Sequence, residues 1–357
     1  MIFFNIFAVI MSVLVYLKRN VIIKFPNIKA TKSLLPALPF MILPSLSVIG
    51  AISVNAFGNN IILLFMIALI ASLFAISTLS TKILPYKLYP FVLFVISISL
   101  LLHSSLISRF IYMGDAHMEY FILKTTEENK HWSSVFMPTE NIVYGRLNSM
   151  VSISILPTIY LIMLNMDAVW VLKLLYPIIF SFVPLALYEL WKSNFGEKKA
   201  FLATFLFISV STFYTEMLGL NRQMIGELFF VLLLLVILRK NDNPFKRKVC
   251  FAIFSIGLVI SHYALTYIFL FIILLAFFIL ALMKRAKTGY PLFYQTKIPL
   301  TLVLIFLTIT FSWYIFVNSA ETFNLLTEEV NTVTSNLDQF FNPESRGTAL
   351  QGLGFVK

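Results

Sequence analysis

The fold class this sequence predicts is an all-α integral membrane protein of about ten transmembrane helices, with a helical first large outer loop. Three observations predict it. Hydrophobic residues make up 59% of the 357 positions and charged residues 12%, against about 45–50% and about 25% in soluble domains. Apolar runs recur at the length a bilayer core about 30 Å thick demands of a helix, about 20 residues. The basic residues cluster between those runs.

Taken in order, the runs predict spans at 2–17, 34–55, 61–80, 88–107, 168–190, 200–218, 224–238, 249–263, 264–283 and 298–317. Met1 to Leu17 lacks a basic leader and a small-residue cleavage site, so it reads as a retained helix. The run 249–283 is too long for one crossing and is split at Ser261-His262-Tyr263. The stretch Asn148 to Asn165 carries Pro157 and several serines and is expected to lie at the interface or to re-enter it. Four regions result: N-terminal helices over 1–107, an outer loop with an acidic motif over 108–165, a helical core over 166–318, and an outer tail over 319–357.

Alternation of these spans gathers most of the 27 basic residues on one side. They comprise Lys18, Arg19, Lys24, Lys29 and Lys32; Lys82 and Lys87; Lys192, Lys198 and Lys199; Arg239, Lys240, Lys246, Arg247 and Lys248; and Lys284, Arg285, Lys287 and Lys297. This is the positive-inside pattern of cytoplasmic loops. The formal charge of +11 is thereby accounted for without a nucleic-acid partner, and no recognition motif for one is present. The single cysteine, Cys250, can form no intrachain disulfide. The opposite side receives Asp115, Glu119, Glu127, Glu128, Glu140, Glu216 and Glu321, and the four histidines lie there or at helix ends facing it. The expected location is the cell membrane, multi-pass, with the chemistry on the extracytoplasmic face.

The polar residues of that face fall into groups. In Gly114-Asp115-Ala116-His117-Met118-Glu119-Tyr120, a helix from Asp115 puts Asp115 and Glu119 on one face, with His117 about 200° around the axis. An extended segment would align all three. Two carboxylates at this spacing suit a divalent cation, Mg or Mn, or a general base acting on a hydroxyl; an N-cap at Asp115 and a solvated Glu119 is the plainer alternative. Glu216, Asn221, Arg222 and Gln223 form the second group. Arg222 offers a fork of donors suited to phosphate, or it snorkels to headgroups. His262 with Tyr263 and Tyr267 forms the third, an ionisable group close to the membrane that either serves a site or bonds a neighbouring helix. Lys173 has the same two readings, and Arg146 meets a phosphate or a headgroup. Trp132 and Tyr144 read as interfacial belt residues. Nucleotide-binding glycine loops, serine elbows and zinc-spaced ligands are missing from the sequence.

With these residues in view, the chain resembles the GT-C class of polytopic glycosyltransferases, and more narrowly archaeal multi-pass membrane proteins of that type. The resemblance spans roughly residues 88–318. It rests on the acidic motif Gly114-Asp115 to Tyr120 opening the first large outer loop, on His131-Trp132, and on the stretch Asn148 to Tyr160. The succession Lys173 to Glu189, Phe195-Gly196-Glu197-Lys198-Lys199 and Glu216 to Gln223 completes it. It implies a polyprenyl- or dolichyl-phosphate-linked sugar donor and a glycan, protein or lipid acceptor. It also implies Asp115, with Glu119, as catalytic base or metal ligand. His117, Arg146, Arg222 and His262 are the candidates for substrate binding. A transporter or flippase of a lipid-linked or anionic solute is the alternative, using the same charges as a gate. No internal repeat supports it.

Overall fold

A computed structural model of the chain describes residues 35–79, 83–111, 114–134, 146–238, 243–285, 298–317 and 321–336. The span expected over 2–17, the basic residues before Leu35, and Tyr144 lie outside these residues. Among the described residues there are helices and no strands. We label them α1 (Leu38–Phe57), α2 (Ile61–Leu79), α3 (Tyr89–Leu106), α4 (Ala116–Asn129), α5 (Ile155–Leu164), α6 (Ala168–Phe195) and α7 (Glu197–Ser209). There follow α8 (Asn221–Leu238), α9 (Pro244–Ser261), α10 (Tyr263–Arg285), α11 (Leu300–Val317) and α12 (Glu321–Ser335). Among the described residues seven helices are long and apolar enough to cross a membrane: α1, α2, α3, α6, α8, α10 and α11. Their exposed large side chains, among them Leu64 and Phe65 on α2 and Phe271 and Phe278 on α10, are those of helices that meet lipid.

The ends of the helices follow local chemistry. α1 closes on Gly58, whose left-handed backbone lets its N–H reach the carbonyls of Ser53 and Val54. Asn59 then accepts a bond from the Ile61 N–H at 2.9 Å and starts α2. Asp167 caps α6 by accepting from Val169 N–H at 2.8 Å. Within α6, Pro177 has no N–H for the carbonyl of Lys173. The hydroxyl of Ser105 on α3 supplies that bond at 2.6 Å, and the backbone widens into a π turn over Val171–Leu175.

α3 is the central helix, packed between α1 and α6, with Tyr89, Val92, Leu93, Ile96 and Leu101 buried. α8 lies against both α6 and α9, and α9 carries α11. One end of this bundle gathers the C-terminus of α3 and the N-termini of α4, α6 and α8, because Ser105, Ala116, Lys173, Leu218 and Asn221 line one small cavity. The C-terminus of α9 and the start of α10 join them through Gly226. A Cβ there would stand 2.9 Å from Cβ of His262, so only a glycine lets α8 approach this closely.

One expectation is corrected and a second is refined. The segment 200–218 is not one continuous span: α7 ends at Val210, whose backbone is extended (ψ 132°). A four-residue helix Ser211–Tyr214 and a 3₁₀ turn Glu216–Gly219 follow. The segment still returns the chain from the far end of α6 to the gathered end, since Leu218 sits beside Lys173. The stretch 148–165 divides as well. Met150 to Ser154 is buried protein interior, and only α5, about 15 Å long, exposes apolar residues such as Ile162 and Met163. That helix is too short to cross. The split at His262 holds: α9 ends at Ser261, His262 is extended, and α10 begins at Tyr263.

Gly114 enters α4 with φ of 92°, and a Cβ there would lie 3.3 Å from the carbonyl oxygen of Gly219. Gly114→Ala is expected to lower stability by about 1–3 kcal/mol, read as a reduced midpoint of thermal unfolding in detergent.

Candidate functional site

The site begins with the face α4 buries. Ala116, Glu119, Ile122, Leu123 and Thr126 point inward at helical spacing, and Glu119 is the charged member of that stripe. Its side chain is 0% exposed. One carboxylate oxygen accepts the N–H of Asn221 at 2.8 Å and the other the N–H of Arg222 at 3.3 Å. These are the first two amides of α8, which have no partner within their own helix. The helix N-terminus and the carboxylate therefore satisfy one another, with the helix dipole adding attraction.

Arg222 completes the arrangement. It is 8% exposed, with Nη1 3.6 Å from Glu119 and Nη2 2.5 Å from Asp115. The ring of Tyr263 lies 6.0 Å from the guanidinium carbon. Nε is buried with no hydrogen-bond partner among the described residues. Burial pushes the Glu119 carboxyl above the usual carboxylate range, and the Arg222 charge, followed by the bonds from Asn221 and Arg222, pulls it back.

Asp115, four residues before Glu119, is in a different environment. Its side chain is 42% exposed and faces a cavity of about 170 Å³ lined by Asp115, Met118, Arg146, Leu147, Arg222 and Tyr263. Arg146 enters from the segment before α5, which is held in place from several directions. Trp132 Nε1 donates to the Asn148 carbonyl at 2.9 Å and Ser152 Oγ to the Ser261 carbonyl at 3.0 Å. Val151 N–H donates to the Ile260 carbonyl at 2.8 Å, and the Tyr176 hydroxyl to the Ser152 carbonyl. Two arginines, one carboxylate and one phenol thus share a small space at the bundle end.

Lys173 is neither a snorkelling residue nor free for a headgroup. Its ammonium donates to the carbonyls of Ser108 at 2.5 Å and Phe110 at 2.6 Å, which fixes the chain just before the acidic motif. His262 serves a helix start: its Nδ1 accepts the Leu265 N–H at 3.3 Å, so the remaining proton sits on Nε2. It is not among the residues lining the 170 Å³ cavity. His117 is exposed on the far side of α4, as the helical spacing requires. Of the six site residues expected from sequence, the structure brings Asp115, Arg146 and Arg222 to one cavity, with Glu119 beneath it. Tyr263, Met118 and Leu147 complete the wall. Tyr263 was grouped in the sequence with His262; the other two carry no polar signal that would have singled them out. Among the described residues no group of three or more His, Cys, Asp or Glu side chains is placed to hold a metal ion.

The fold and its apolar helices define a multi-pass membrane protein. A family model described as "Predicted membrane protein (DUF2206)" matches residues 247–353, a region that includes His262 and Tyr263 but neither Asp115, Glu119 nor Arg222. No curated protein and no solved structure matches the chain.

Glu119→Gln would set an amide NH₂ against one of the two backbone donors and strip Arg222 of a countercharge. Removing one partner of a buried pair costs about 3–5 kcal/mol, so this variant is expected to unfold at markedly lower temperature or denaturant than wild type. An unchanged midpoint would show that Glu119 is not what holds α8 to α4.

Proposed function

We propose that the chain is a membrane glycosyltransferase of the GT-C kind, moving a sugar from a polyprenyl- or dolichyl-phosphate donor to an acceptor hydroxyl on the outer face of the membrane. The observation that carries the reading is the shared cavity of Asp115, Arg222 and Arg146 at the end of the helical bundle. A lipid-anchored donor would lie with its chain along the apolar helices and its phosphate at that level. Two arginines suit a phosphate, and the carboxylate suits an acceptor hydroxyl.

In this reading Asp115 takes the proton of the acceptor hydroxyl, whose oxygen attacks the anomeric carbon as the bond to the phosphate oxygen breaks. The lipid phosphate departs with the electron pair, and Arg222 and Arg146 stabilise its charge. Tyr263 offers a flat face beside the reacting groups. Glu119, sealed and fully bonded, is a positioning residue that aims Arg222 and does not touch substrate. A divalent cation fits this donor set poorly, since two cations and one anion line the cavity and both Glu119 oxygens are engaged. No step of the mechanism is routed through one.

One observation favours the transporter alternative. Glu227 lies about two turns into α8, where Gln223 donates to its carboxylate at 2.9 Å. Carboxyl groups within spans mark ion or proton pathways in many transporters.

A single preparation separates the readings: purified protein reconstituted with radiolabelled polyprenyl-phosphate sugar. Asp115→Asn is expected to lower sugar transfer by about 10²–10⁴-fold, the range of a lost general base. Arg222→Lys, which keeps the charge but loses the fork, is expected to lower it by about 10²–10³-fold. Solute movement with no transfer would favour the transporter, and transfer untouched by Asp115→Asn would end the proposed mechanism. Orientation has its own check: Phe121→Cys, exposed on α4, in a Cys250→Ser background should react with an impermeant maleimide on intact cells. Reaction only after the membrane is opened would place the site on the other face.

A further inference from the structure

Arg222 is the most deeply set cation of the cavity, and its outward amine is already taken. Nη2 is bound to Asp115 at 2.5 Å, Nη1 faces Glu119 below, and the ring of Tyr263 lies beside the guanidinium. An anion in the cavity therefore meets a guanidinium whose cavity-side position another anion occupies. Asp115 is free to yield that position, being 42% exposed at its side chain and making no side-chain bond that caps α4. Glu119 is not free, since it is sealed and holds two amides. The guanidinium stays in place while its outer partner is exchangeable. The buried Nε, with no hydrogen-bond partner among the described residues, is a donor still to be satisfied. Arg146, which lines the same cavity, supplies a second positive charge to an incoming anion.

We propose that the cavity is an exchange site for a phosphate-type anion: Asp115 occupies Arg222 at rest, and the anion binds by displacing it, releasing the carboxylate into the same cavity. Before exchange, one oxygen of Asp115 is held by the guanidinium and is not offered to an acceptor hydroxyl. After it, the carboxylate stands beside the bound anion with no cation of its own. Arrival of the phosphate thus switches on the base, so that the group needed for proton removal is withheld until the donor is seated. The inference deepens the proposed function and depends on it only for the use made of the released carboxylate; the exchange is a binding property with its own readout.

The phosphate can come from two sources, so two probes are needed: inorganic pyrophosphate in solution, and a long-chain isoprenyl monophosphate in nanodiscs. Calorimetry with wild type, Asp115→Asn and Asp115→Ala is expected to show binding tightened about tenfold in both variants, since the competing internal anion is gone. Tightening confined to the nanodisc probe assigns the anion to a lipid, and tightening confined to pyrophosphate assigns it to a free phosphate. Loss of any nearby negative charge would also tighten binding. The second readout excludes that explanation: in protein labelled with ¹³C-aspartate, adding the probe should shift a carboxylate stretching band in the infrared difference spectrum, and Asp115→Asn should lack that shift. Unchanged or weaker binding by both variants, or tighter binding without the band shift, overturns the exchange. Exchange without sugar transfer by wild type would overturn the glycosyltransferase reading and leave the exchange standing.

Discussion

A guanidinium buried at the end of a helical bundle has to be neutralised where it stands, and the geometry of this site follows from how Arg222 meets that requirement. An isolated charge in such surroundings costs several kcal/mol even after relaxation. Glu119 provides the opposing charge and accepts the first two amides of α8. One side chain thereby settles two debts of burial and ties together parts of the chain 102 residues apart. The neighbouring contacts depend on that tie. Gly114 can rest against Gly219 because α4 is held beside the turn that precedes α8, and Lys173 holds the approach to Gly114 by binding two carbonyls.

The two acids of the motif share a helix face and have different roles. Four residues apart on α4, they differ by about 6 Å along the axis, and that rise crosses the boundary between interior and cavity. Glu119 lies one turn inside, where each of its oxygens accepts a backbone N–H. Asp115 lies at the helix start, where one oxygen meets Arg222 and the side chain remains open. Neither position alone makes a site. A sealed carboxylate cannot meet a substrate, and an open one without a fixed arginine has no defined neighbour.

The spans were legible because lipid-facing helices need apolar residues all round and nothing else in a protein supplies runs of that length. The hinge at His262 was legible from length alone. The helical spacing of the acidic motif set His117 about 200° from Asp115 and Glu119, and the structure leaves it exposed while burying Glu119. Other features depended on partners far away in the chain. Nothing near Glu119 in sequence announces that the amides of Asn221 and Arg222 will meet it. The bonds of Lys173 go to main-chain carbonyls, which carry no residue signature. The break at Val210 lies in a run with neither proline nor glycine, and the polar residues around it, Ser209, Ser211, Thr212 and Thr215, were its one compositional sign. α12 was expected only as tail, although Phe323 packs on Phe311, Tyr314 and Tyr267 and anchors the helix to the ends of α10 and α11.

The site is also composite along the chain. The matched region 247–353 contributes Tyr263 and, through His262, the start of α10 that holds this ring beside Arg222. The charged residues come from α4, α8 and the segment before α5, all outside that region. The bonds from Val151 N–H to the Ile260 carbonyl and from Ser152 Oγ to the Ser261 carbonyl join the two parts directly. A shift of the α9–α10 hinge would therefore move Arg146 and Tyr263 together, relative to an Arg222 fixed from below by Glu119. The cavity's dimensions and the position of Arg146 depend on that hinge, whereas Asp115 and Arg222 are set by α4 and α8. The fixed cation of the cavity and its movable wall accordingly come from different segments of the same chain.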